Sequence, residues 1–69
     1  MNIDEEKYIV IKGMQKYGGG FVNSLSEALA RADIINTSKI KETWPEYWKQ
    51  YLEMGKPKEE NLWLMIYKT

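Results

Sequence analysis

Ile3-Asp4-Glu5-Glu6-Lys7-Tyr8-Ile9-Val10-Ile11-Lys12-Gly13-Met14-Gln15-Lys16-Tyr17, running into Gly18-Gly19-Gly20-Phe21, is the stretch on which the fold turns. Two periodicities compete in it. Ile3, Lys7, Val10, Met14, Tyr17 and Phe21 recur in steps that alternate between four and three residues, with Ile11 beside them. That spacing is the stripe an amphipathic helix turns toward a core. Within it, Tyr8-Ile9-Val10-Ile11 is β-branched and aromatic enough to form a short strand. The longer pattern favours the helix, and with it an all-α fold.

Local chemistry agrees with that choice. Asn2 is placed to cap the helix, and Asp4, Glu5 and Glu6 occupy the end where the helix dipole favours acids. Gly18-Gly19-Gly20 stops it, because glycine enters the left-handed region without steric cost. A phosphate-binding loop would need a preceding strand and a different glycine spacing, so the glycines read as a hinge.

A second helix is predicted from about Phe21 to Ala32, with Phe21, Leu25, Ala28, Leu29 and Ala32 on one face and Glu27 four residues before Arg31. Asp33 to Thr37 reads as a connection, after which Thr37 or Ser38 caps a third segment. Ile40, Trp44, Tyr47, Trp48, Tyr51 and Leu52 share one broad face of that segment. Pro45 lies inside it. Proline suits a first helical turn and costs about 3 kcal/mol in a helix interior, so the segment should break near Thr43 and restart at Pro45. Gly55 closes it and Pro57 follows.

The tail is ambiguous between helix and strand: Leu62, Met65 and Ile66 repeat as a helix would, but residues 62-67 also suit a strand. The expected fold is therefore a small bundle of three to four short helices in a single domain, residues 1-69. The alternative is an α+β fold in which 8-11 and 62-67 pair.

Composition excludes more function than it indicates. The chain has 69 residues and contains neither cysteine nor histidine. Disulfides, thiolate nucleophiles, zinc sites of sulfur or imidazole, and the usual general base near neutral pH are thereby removed. A domain this small buries only about 60% of its unfolded surface, so it depends on its core or on a partner. Ten basic residues balance ten acidic ones, which gives no global field toward nucleic acid or an anionic membrane. The acidic start, Asn2-Ile3-Asp4-Glu5-Glu6, lacks the order of a signal peptide, and no apolar run has the length of a membrane span. A cytoplasmic protein without cofactor, metal or membrane partner is expected.

Carboxylates at Glu42, Glu46 and Glu53 with Tyr47 or Tyr51 read as helix surface, with no nucleophile and activating base among them, so no enzyme is expected. Two helices joined near Asp33 could turn Ser38, Lys39 and Lys41 toward DNA, but the small turn residue and the apolar positions of a helix-turn-helix do not line up. The aromatic content is the stronger lead. Phe21, three tryptophans and five tyrosines are more than a thin helical core encloses, and exposed Trp and Tyr dominate protein interfaces. Trp44, Tyr47, Trp48 and Tyr51, with Trp63 and Tyr67 in the tail, are the candidate partner-binding residues, the partner being another protein or a second copy in a homodimer.

Tyr17-Gly18-Gly19, Phe21-Val22, Leu25, Glu27-Ala28-Leu29, Arg31-Ala32-Asp33, Asn36 and Pro45-Glu46-Tyr47-Trp48 with Tyr51 form a further pattern. It resembles a group of short proteins encoded in phage and prophage genomes, over about half the chain. The sequence departs from that group at Gly20, where serine is usual, and at Ile34, where proline is common. The resemblance implies a setting inside a bacterium and no particular chemistry. In that setting, an inhibitor of a host or defence protein, or a minor structural or assembly part, is expected.

Overall fold

The structure, a computed structural model, describes residues 2–56, which form four helices. These are α1 (Ile3–Tyr17), α2 (Gly20–Ala30), α3 (Ile34–Thr43) and α4 (Pro45–Gly55). Tyr8 to Ile11 lie inside α1, so the strand pairing fails in its first half; its other half, 62-67, is outside the described residues. The long stripe prevails over the local β-branched run. Val10 and Met14 become fully buried only in the helical register. The described residues form a small all-α bundle.

Helix α1 is the spine and packs chiefly against α4 and α2; α3 makes fewer contacts, with α2 and α4. The core joins Val10 and Met14 of α1, Val22, Leu25 and Leu29 of α2, and Trp48 and Tyr51 of α4. Ile3, Ile11, Ile40, Trp44, Tyr47 and Leu52 close its edges. Where α1 crosses α4 there is no room for side chains. A Cβ on Gly13 would strike Tyr51 O, and one on Gly55 would strike Ile9 O and stand 3.0 Å from Gly13 N. Two glycines let the backbones touch.

The caps are those the sequence offered at two of the starts. Asn2 Oδ1 accepts from Glu5 N at 2.9 Å. Pro45 takes the first turn of α4, where its missing N–H costs nothing. The glycine break works differently from expectation. No described glycine has positive φ, and Gly18 is extended at φ −81°, ψ 152°. Gly18 is needed for space: a Cβ there would meet the Val22 side chain and Met14 O. Gly20 already belongs to α2.

Helix α3 starts earlier than predicted. Asp33 Oδ1 accepts from Asn36 N at 2.8 Å, so the carboxylate caps at Asp33 and Ile34 to Thr37 are helical. Thr37 is buried in the helix, and its hydroxyl reaches Ala32 O at 3.5 Å. Lys7 Nζ donates to the same carbonyl at 2.7 Å, which ties the end of α2 to α1. Ala28, expected inward, is exposed.

Candidate functional site

The break between α3 and α4 positions the candidate site. Trp44 closes one helix and opens the next: its N–H donates to Ile40 O at 3.0 Å, and its carbonyl accepts from Trp48 N at 3.0 Å. With φ −126° and ψ 64°, its backbone leaves the helical path between two fixed turns. The indole is thereby held at the corner of the bundle.

Phe21, in the first turn of α2, comes to meet it. The Phe21 and Trp44 rings are 6.1 Å apart at 69°, an edge-to-face contact, and Phe21 and Tyr47 are 6.2 Å apart at 50°. Tyr47 continues to Tyr51 at 6.2 Å and 47°. The four rings run from solvent to core: Phe21 is 59% exposed, Trp44 and Tyr47 are half-buried, and Tyr51 is buried. Offset and edge contacts of this kind add about 0.5–1.5 kcal/mol each beyond burial. Beside them an open hollow of about 310 Å³ is lined by Thr43, Trp44, Pro45, Glu46 and Tyr47.

Trp48 faces the other way. It is 3% exposed, and its Nε1 donates to Glu6 Oε1 at 2.8 Å. Lys41 Nζ donates to the same oxygen at 3.1 Å and stands 5.5 Å from the Trp48 ring. The Trp48 hydrogen bond first, and the Lys41 hydrogen bond and charge with it, hold the Glu6 carboxyl below its ordinary pKa. This node joins α1, α3 and α4.

The six residues singled out from the sequence thus separate. Trp44 and Tyr47 form the accessible aromatic corner, Trp48 and Tyr51 belong to the core, and Trp63 and Tyr67 lie outside the described residues. Phe21 was missed as a surface residue because the α1 stripe runs into it. The glycine break turns the chain there, so the stripe's continuation no longer faces the core. Its position directly after the glycines was the available signal. Glu6 was missed because an acid in a first turn is already explained by the helix dipole.

The other candidates are less convergent. Helices α2 and α3 are joined by Arg31-Ala32-Asp33, as short as a helix-turn-helix connection. Lys41, however, is engaged by Glu6, and the outer side of α3 presents Ile34, Ile35 and Glu42 beside Lys39. Glu53 pairs with Lys56 at 3.2 Å, one turn away. Among the described residues no cluster of acids could hold a metal ion, and no helix is long and apolar enough to cross a membrane.

No protein-family model, curated protein or solved structure matches this chain.

Proposed function

We propose that this chain is a non-enzymatic interaction protein that docks a partner protein on the corner formed by Phe21, Trp44 and Tyr47. The observation that carries the reading is the Phe21 ring, 59% exposed yet in edge-to-face contact with Trp44 and tilted against Tyr47. Single exposed apolar residues are ordinary, but an exposed aromatic cluster marks an interaction patch, and clustered aromatics are the usual anchors of interfaces. The resemblance to short phage proteins supplies the setting, the cytoplasm of a bacterial host, and the role, blocking a host or defence protein or serving in assembly.

The test is capture from a host extract with wild type and with Phe21→Ser, both checked for helicity. A protein retained by the first and lost by the second supports the reading. Equal retention removes it.

A second reading is nucleic-acid binding through α3, favoured by the short α2–α3 connection. It requires a salt-dependent shift with DNA or RNA.

A further inference from the structure

We propose that the hollow at the α3–α4 break receives an extended, proline-rich segment of the partner that carries an arginine beside its prolines. The inference rests on the docking reading above and names the chemistry of the ligand.

The first argument is shape. Trp44, Pro45 and Tyr47 line an open hollow, and Phe21 packs against the Trp44 and Tyr47 rings beside it. Among the described residues the lining comes from five consecutive positions, too short a track for several turns of a partner helix. Polyproline segments suit such aromatic surfaces, because they are already extended and lose little entropy on docking.

The second argument is hydrogen bonding. A proline-rich backbone lacks donors and presents carbonyls, so its site must supply N–H or O–H groups. The indole Nε1–H of Trp44 and the hydroxyl of Tyr47 are such groups. Among the described residues neither donates to a protein acceptor.

The third argument is charge. Among the described residues Glu46 is the one carboxylate of the lining, and no cation lines the hollow with it. It forms no ion pair among the described residues, although Lys49 follows one turn on. A guanidinium pairs with a carboxylate and stacks on aromatic rings, so arginine satisfies both kinds of group at once. A second copy fits less well. A two-fold contact centred on this corner would bring Glu46 against its own counterpart.

The experiment is a titration of the full, isotopically labelled chain with a synthetic peptide of about nine residues, an arginine followed by prolines. A peptide with glutamate in place of the arginine, and one with the prolines replaced by alanine and serine, serve as comparisons. The expected result is a shift of the Trp44 Nε1–H resonance while that of Trp48, bonded to Glu6, stays in place. The glutamate peptide should bind about tenfold more weakly or worse, and Glu46→Lys should reverse that preference. Glu46 is exposed, so this variant should fold.

No shift at millimolar peptide, or equal binding of the charge-reversed peptide, overturns the proposal. So does a concentration-dependent shift of the same resonances without peptide, which would assign the corner to a second copy. If the peptides fail while Phe21→Ser still abolishes capture from extract, the docking reading stands and only the ligand chemistry is wrong.

Discussion

Trp48 Nε1 donates to Glu6 Oε1 across 42 positions of chain, at 2.8 Å. The bond lies at the edge of the core, where it gives a buried indole its acceptor and fixes α4 against the first turn of α1. Lys41 binds the same oxygen from α3.

Removing the carboxylate should therefore reach beyond one surface charge. Glu6→Ala should cost about 1–3 kcal/mol, the usual range when a buried donor loses its partner. Urea denaturation followed by tryptophan fluorescence reads it.

The same node sets a pH dependence. Folding holds the Glu6 carboxyl below its ordinary value of 4.5, so the unfolded chain takes up that proton first as the solution is acidified. Its stabilisation is complete above 4.5 and is lost as pH falls through that value toward the folded one. Comparing wild type with Glu6→Gln, which keeps an acceptor for Trp48, should give a stability gap near pH 7 that narrows by about pH 3.

The α1–α4 crossing gives the sharpest steric test. Gly13→Ala places a methyl on the Tyr51 carbonyl and should cost about 1–3 kcal/mol or more. Gly20→Ala meets open space at the start of a helix and should gain about 0.4–1 kcal/mol. Opposite shifts in melting temperature for the same chemical change would verify the packing.

Stability and docking should separate at two residues. Leu29 has no exposed surface, and Leu29→Ala should cost about 2–5 kcal/mol. Phe21→Ser gives up ring contacts of about 0.5–1.5 kcal/mol each yet should abolish partner capture. Thermal unfolding and capture, measured on both variants, decide it.

The cap of α3 is equally open to test. Asp33→Ala should cost about 0.5–2 kcal/mol. Faster hydrogen exchange at the Asn36 amide, which Asp33 holds at 2.8 Å, localises the loss.

Much of this fold is legible in the sequence where one signal is long or strong. The Val10–Met14 stripe outlasts the β-branched run, and Pro45 fixes a helix start by itself. Legibility fails where tertiary context redirects a local signal. Ile34 and Ile35 are β-branched and are followed by the turn-forming residues Asn36-Thr37-Ser38, which hides a helix that a single aspartate begins. The aromatic cluster around Trp44 to Tyr51 was legible, but its division was not. Trp44 and Trp48 stand one turn apart, and only the corner between α3 and α4 decides that one meets solvent and the other Glu6.

The helix that opens the described chain finds its main partner in the helix that closes it. During synthesis, Val10 and Met14 meet only the α2 residues Val22, Leu25 and Leu29 until the aromatic rings of Trp48 and Tyr51 have emerged. Completing the core then closes a loop that spans most of the described residues. A chain cut or stalled before Pro45 lacks a wall of the core as well as the aromatic corner. Such fragments should be cleared as unfolded protein, so the cell holds either the whole fold or none of it.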